Sequence, residues 1–487
     1  MLFLKKISLS GRFVHLAALL YLLVPAVIFA FGWLRPVTLF LALAVLALTF
    51  YTLGRSLCQR HSRVQLSVWY LLLCAAALFV WMLFSGIGGF SYQNLDYYVR
   101  NPILNDLTQF AWPLRYDLSQ QSTGVQALCG SDTVQFVYYF VFWLPAAALG
   151  KLFGAAQFWL FLWCYLGVAL VLLEVHLYLQ KQSLLIPAIL MGFSGLDFIP
   201  YFLQEGLVKT AHMEWWAGHL YQYSSNTTQL YWVFNQTIPL WLLVTLLLHL
   251  GGESGGVALC SLSFLYSPFA TFGFIPLALG AVRKNGFKKT LLTPANWLMP
   301  LFLICVFGSF YLSLPGGLGA NGPIFVLEGI SAIKWYIPFV ILEAGVYLFC
   351  LRKELLSYDY LLIAALELIL IPLYKLTDAN DFCMRTSIPA LFILCISVMR
   401  YLLEHKNKTC LLLTICLIIG MATPATEVFR SLKYTLSGET DANLIGDSFS
   451  CMVLDKYEYA ETLVTTVNQQ FFAHDWQNST FEKYFGK

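Results

Sequence analysis

Phe13-Val-His-Leu-Ala-Ala-Leu-Leu-Tyr-Leu-Leu-Val-Pro-Ala-Val-Ile-Phe-Ala-Phe-Gly-Trp33 carries no charged residue. A bilayer core about 30 Å thick is crossed by roughly 20 apolar residues of helix, and this stretch supplies them. It is too long for the core of a signal peptide and lacks a small-residue cleavage site, so it reads as a retained membrane span. Similar runs follow at 37–53, 65–86, 157–180, 184–203, 229–250, 257–281, 297–315, 336–352, 358–376, 386–402 and 410–430. Composition agrees: 59% of the 487 residues are apolar, 11% are charged, and mean hydropathy is +0.70. Globular domains carry about 25% charged residues, so lipid must be much of this chain's solvent. The expectation is an all-α polytopic membrane protein of about 11–13 transmembrane helices.

The net charge of +3 gives no basic stripe for a nucleic-acid partner. Most of the twelve cysteines, Cys74, Cys164, Cys260, Cys305, Cys350, Cys395, Cys410 and Cys416 among them, lie in apolar runs and read as small fillers. With no CxxC pair, a thiolate metal site is not expected.

Positive charge gathers in the short loops, at Lys5, Lys6 and Arg12, at Arg55, Arg60 and Arg63, at Lys181, at Arg283, Lys284, Lys288 and Lys289, at Arg352 and Lys353, and at Arg400, Lys406 and Lys408. Lys and Arg stay preferentially in the cytoplasm. Placing all of them there requires two departures from simple counting. The segment 136–154, with Tyr138, Tyr139, Phe142 and Trp143, lies at the outer interface and does not cross. The segment 257–281 breaks near Tyr266-Ser-Pro-Phe-Ala-Thr-Phe-Gly-Phe and returns on the side it entered. The longer polar segments then face outward: 87–156, 204–228, 316–335, 377–385 and the tail 431–487, with 1–430 as the membrane domain. The tail is rich in aromatic residues and is expected to dock on the outer surface.

Chemistry is to be sought in those outer segments. In the first, Asp96, Arg100 and Asp106 sit just above a span, and a carboxylate partly desolvated at headgroup level is a stronger base than one in water. Asp197 ends Phe193-Ser-Gly-Leu-Asp197 inside an apolar run, where an acid is expensive and therefore a functional candidate. The next loop offers Lys209 and His212 for a phosphate, then Glu214, and then Trp215, Trp216 and Tyr223 for a sugar ring or a lipid groove. Arg385, near Asp378 and Asp381, supplies a planar fork for phosphate; a salt bridge closing its own loop is the competing role. Glu174, His176, Glu343 and Glu367 occur singly within spans and read as helix-packing groups.

Taken in order, Asp96 and Asp106 followed by Trp112-Pro, then Val137-Tyr-Tyr to Gly150-Lys-Leu-Phe-Gly, Ser194-Gly-Leu-Asp197, Glu214-Trp-Trp, Gln222-Tyr-Ser-Ser-Asn-Thr-Thr and Asn380-Asp-Phe-Cys-Met-Arg385 resemble the bacterial GT-C superfamily of membrane glycosyltransferases. That resemblance implies transfer of a sugar from a polyprenyl-phosphate donor to a cell-envelope glycan, lipid or protein at the outer face of the cytoplasmic membrane. It implies an acid of the first outer loop as base, Asp96 before Asp106, with Asp197 as a second acid at the end of a later helix. Arg100, Lys209 or Arg385 would neutralise the departing phosphate, with His212, Glu214, Trp215, Tyr223 and Asp381 lining the substrate site. No cofactor is implied; the first loop lacks an acidic-x-acidic pair, so metal dependence is not expected, although a divalent ion stays open. Two other classes compete: a flippase for a lipid-linked glycan, which would show repeated halves and midplane charges, and an O-antigen polymerase or ligase, which would lean on arginine and histidine.

Overall fold

The computed structural model describes residues 5–59, 62–117, 119, 132–206, 212–218, 220–251, 253–314, 324–325, 330–376, 380–439, 447–449 and 470–487. The opening apolar run forms a single helix, α1 (Gly11–Trp33), and Pro36 starts α2 (Pro36–Cys58) at a position where its missing N–H costs nothing. An antiparallel pair of strands, β1 (Lys6–Ser10) and β2 (Arg63–Ser67), ties the start of α1 to that of α3 (Val68–Leu83). Beyond α3 come α4 (Tyr97–Gln109), the short α5 (Leu144–Phe153) and the long α6 (Ala156–Leu179). α6 runs antiparallel to α1: Tyr21 stacks on Trp163 near one end, and His15 meets Glu174 near the other.

The expected span at 184–203 is two helices, α7 (Leu185–Gly192) and α8 (Phe198–Glu205). The break at Phe193-Ser-Gly-Leu-Asp197 survives burial because its polar backbone finds partners. The first turn of α9 (Asn226–Leu250) supplies them, with the Asn226 N–H on the Phe193 carbonyl (3.0 Å), Asn226 Nδ2 on Leu190 (2.9 Å) and Thr227 Oγ1 on Met191 (2.7 Å). Except for Trp232, every residue of α9 is buried. A helix with no polar face belongs at the centre of a bundle, and the rest of the fold wraps around it.

The break expected in 257–281 is present between α10 (Gly256–Ser263) and α11 (Pro268–Asn285), where Ser267 Oγ accepts the Ala270 N–H (3.2 Å) and caps α11. The two pieces fold back on each other. A Cβ on Gly256 would stand 2.6 Å from that of Ala281, so the entry and exit of the segment lie together. The apolar helix Val141–Phe153, which contains α5, is about 20 Å long at 1.5 Å per residue.

Then follow α12 (Ala295–Tyr311), α13 (Ile333–Cys350), α14 (Asp359–Leu370), the single-turn α15 (Asp381–Thr386), α16 (Ile388–Glu404), α17 (Lys408–Gly420) and α18 (Ala422–Ser437). The last helix thus continues seven residues beyond 430. Six described helices are long and apolar enough to cross a membrane: Gly11–Trp33, Pro36–Cys58, Ala156–Leu179, Asn226–Leu250, Ile333–Cys350 and Lys408–Ser437. Phe40, Leu41, Leu72, Leu301, Ile304, Leu411 and Ile418 remain exposed on the bundle. Apolar surface of that extent suits lipid rather than water, and the chain is a polytopic helical protein.

The bundle has two unlike ends. At one, the basic clusters meet: Lys284 pairs with Asp359 (3.5 Å), Arg400 lies over the Tyr358 ring, and the Tyr358 and Tyr178 hydroxyls are 2.9 Å apart. At the other, the long loops and the tail gather. There β3 (Arg115–Asp117), β4 (Thr133–Phe136) and β7 (Phe472–Ala473) form an antiparallel sheet, and β5 (Ile324–Phe325) pairs with β6 (Tyr374–Lys375). The tail runs on to the top of α1, where the Arg35 N–H donates to Phe485 (3.0 Å) and the Lys487 N–H to Trp33 (3.0 Å). The described part of the tail therefore docks, as its aromatic content predicts.

Candidate functional site

The loop end holds two adjoining groups of charged side chains. The first begins at the head of α4, where Asp96 and Arg100 stand one turn apart and pair at 2.7 Å. Arg100 is fixed from the other side by α9. A kink at Val233 (φ −138°, ψ 40°) interrupts that helix, and the Tyr231 carbonyl beside it accepts from Asn94 Nδ2 (3.1 Å) and Arg100 (3.5 Å). The guanidinium also lies 5.1 Å from the Phe234 ring centre. α15 brings a second cation, Arg385, bonded to the Tyr139 hydroxyl (2.9 Å) and paired with Asp381 (3.1 Å), while its Nε has no hydrogen-bond partner among the described residues. This turn sits close because α11 presents Gly273 to it; a Cβ there would be 1.9 Å from the Thr386 carbonyl oxygen.

Asp96 is the focus of the group. Its side chain is 38% exposed, and the charges of Arg100, Arg385, Asp381 and His212 all act on it. Burial pushes its carboxyl above the usual carboxylate range; Arg100, Arg385 and His212 pull it down, and Asp381 pushes it up. With Arg100 in contact with this partly open carboxylate, and the charges of Arg385 and of protonated His212 acting on it, the group can hold an anion while the carboxylate takes a proton.

The second group lies deeper. His212 Nδ1 is 3.2 Å from Glu427 Oε1, and its Nε2 is 3.7 Å from Glu214 Oε2. Glu427 also receives Trp232 Nε1 (3.0 Å) and pairs with Arg430, whose guanidinium lies over the Trp232 ring. Burial opposes a charge on His212, but the Glu427 hydrogen bond and the Glu427 and Glu214 carboxylates prevail over burial and Arg430, so its pKa is raised. Glu214 is held above its ordinary range by burial, against His212, and it accepts the Ser225 N–H (2.8 Å) at the cap of α9. Asp197 accepts the Thr423 hydroxyl (2.8 Å) and Glu343 the Trp216 indole (2.9 Å). Asp197 Oδ2 and Glu343 Oε2 have no hydrogen-bond partner among the described residues.

Of the residues singled out in the sequence, Asp96, Arg100, His212, Glu214, Asp381 and Arg385 come together, and Asp197 lies behind them beside Glu343. Trp215 is half exposed and meets the His212 ring at 4.8 Å. Tyr223 is buried, its hydroxyl donating to Leu368 (2.8 Å), so its ring offers no face to a ligand. Asp106 sits apart. It is fully buried, and its Oδ2 accepts from the Tyr116 hydroxyl (2.7 Å) and the Phe449 N–H (3.0 Å). Burial lifts its pKa to about 6 against the pull of Ser448, Tyr116 and Phe449. Lys209 and Asp378 lie outside the described residues, as does most of 316–335. Glu427 and Arg430 were not singled out; a Glu and an Arg one turn apart at the end of an apolar helix were the available signal. Asn226 and Asn235, which open N-x-T sequons, are buried in α9 and closed to glycosylation.

No family model matches the chain, and no curated protein or solved structure matches it.

Proposed function

We propose that this chain is an integral membrane glycosyltransferase of the GT-C type, moving a sugar from a polyprenyl-phosphate donor to a cell-envelope glycan, lipid or protein. The observation that carries the reading is Asp96, partly open and set among Arg100, Arg385 and His212 at the loop end of the bundle. In this reading the basic end faces the cytoplasm, as Lys and Arg do, the N-terminus lies with it, and the loop end faces outward from a bacterial inner membrane. About 11–13 helices cross, the shorter and broken ones beside the six long ones, while α5 and the α10–α11 hairpin do not.

Asp96 accepts the proton of an acceptor hydroxyl as its oxygen attacks the anomeric carbon. The bond from that carbon to the phosphate oxygen breaks, and the lipid phosphate leaves with the electron pair. Arg100 and Arg385 meet the charge it gathers, with His212 adding to the field while protonated. No proton is needed by that leaving group, so one carboxylate suffices, and the anomeric centre inverts. Glu427 and Glu214 serve by keeping His212 charged. The loop end also provides aromatic surface, Trp215 above all, for a sugar or a prenyl chain.

The test is transfer by the purified protein from a panel of radiolabelled polyprenyl-phosphate sugars to membrane glycolipid and protein acceptors, comparing wild type with Asp96→Asn. Product with wild type and none with the variant, both binding donor, supports the reading. Unreacted donor together with movement of labelled lipid across proteoliposomes replaces it with a flippase.

A further inference from the structure

Three helices converge near the basic end of the bundle on a group that plays no part in the chemistry above. His15 stands in the second turn of α1, Glu174 near the end of α6 and His249 in the last turn of α9, and all three are buried. His15 Nδ1 is 2.8 Å from Glu174 Oε2, and His249 Nε2 approaches the same oxygen at 3.1 Å. One ligand atom from each residue falls within 4.8 Å of the others. A carboxylate in an apolar bundle is costly unless it is compensated.

We propose that His15, Glu174 and His249 bind one divalent transition-metal ion of the zinc class. Two imidazole nitrogens and one carboxylate oxygen are a donor set such ions take, at about 2.0–2.2 Å from the metal with one position left for water. Ligand atoms around a tetrahedral ion stand about 3.4 Å apart at those bond lengths. The contacts of 2.8 and 3.1 Å therefore open by a few tenths of an ångström to admit it. Two rings from separate helices direct a nitrogen at one oxygen; His249 Nε2 also lies 3.1 Å from the Glu174 backbone carbonyl oxygen, a contact that gives way when this nitrogen takes the ion. The outer surroundings fit as well: with Nδ1 on the metal, His15 Nε2 carries the proton and faces Ser62 Oγ at 3.3 Å. The ion would staple α1, α6 and α9, the central helix, at the end of the bundle remote from Asp96. The site is independent of whether the chain transfers sugars.

The experiment is elemental analysis of the full-length protein, expressed with zinc in the medium, purified in detergent through a tag free of histidine and exhaustively dialysed. About one zinc ion per chain is expected in wild type, falling to below about one fifth in His249→Gln and in Glu174→Gln. Chelator-stripped wild type should melt at lower temperature and recover with Zn²⁺ but not with Mg²⁺. The wild-type stoichiometry stands even where a variant fails to fold. Wild type without near-stoichiometric metal overturns the proposal, as does metal retained in folded His249→Gln, or a melting temperature indifferent to the chelator.

Discussion

Asp96 stands at the head of α4 and Asp106 near its far end, yet the two ends of this helix put them to opposite uses. At its head, Asp96 faces Arg100, Arg385 and His212 with part of its side chain open. Ten residues on, about 15 Å along the axis, Asp106 is enclosed and binds Tyr116 of β3 and Phe449 of the tail. One carboxylate is placed among charges that a substrate could share. The other is consumed by contacts within the protein. What separates them is the company that distant segments bring: α15 and the 212–216 stretch at one end, β3 and the tail at the other.

The sharpest test of that contrast is the pair of asparagine variants. Asp96→Asn should lower sugar transfer by about 10²- to 10⁴-fold, the usual worth of a positioned base, while Asp106→Asn stays within about threefold. Reversed outcomes would exchange the roles of the two residues.

A second test uses pH. Asp106 has a pKa of about 6 when enclosed, against an ordinary 3.8. A carboxyl whose pKa rises on docking favours docking when protonated. The benefit is fully present below about pH 4 and is lost as pH rises through 6, with a span of at most about 3 kcal/mol. Hydrogen exchange at the Val137 amide, which donates to Phe471 (2.8 Å), should therefore be slower relative to its intrinsic rate at pH 5 than at pH 7.5. In Asp106→Asn that difference should vanish.

Smaller effects come from the cations. Arg385→Lys should raise KM for the anionic donor about tenfold, because a lysine cannot reproduce the fork. Gly273→Ala should act in the same direction by pushing the Thr386 backbone, and Arg385 with it, away from Asp96. The smallest change is expected in Glu427→Gln: the rate falls as pH rises through the raised pKa of His212, and this limb should move to lower pH once its main partner is neutral. A pH profile that stays in place would remove His212 from the site.

Much of the bundle was legible because a membrane span is written locally, as in 13–33, where length and apolarity suffice. The turn at Ser267-Pro268 was legible for the same reason, since both residues act on their own backbone. The break at Phe193–Asp197 was not. Hydropathy continues through it, and it exists because Asn226 and Thr227 arrive from elsewhere to satisfy its carbonyls. The site divides in the same way. Asp96 and Arg100 could be paired from their spacing of one turn. Glu343, read as a packing group, lies beside Asp197 and Trp216 through contacts more than a hundred residues apart in sequence. Tyr223 shows the converse, an aromatic residue in a polar stretch that long-range packing removes from reach.

The bond from Arg35 Nε to the Gly486 carbonyl joins residues 451 positions apart, and this gives the structure a timetable. At about 5–20 residues per second of synthesis, the segment that covers the top of α1 is made some 20 to 90 s after Arg35 itself. For that interval Trp33 and Phe29, later covered by Phe481 and its neighbours, must remain shielded by lipid, by α5 or by a chaperone. An interruption of synthesis late in the chain would leave every long helix in place and this aromatic surface bare.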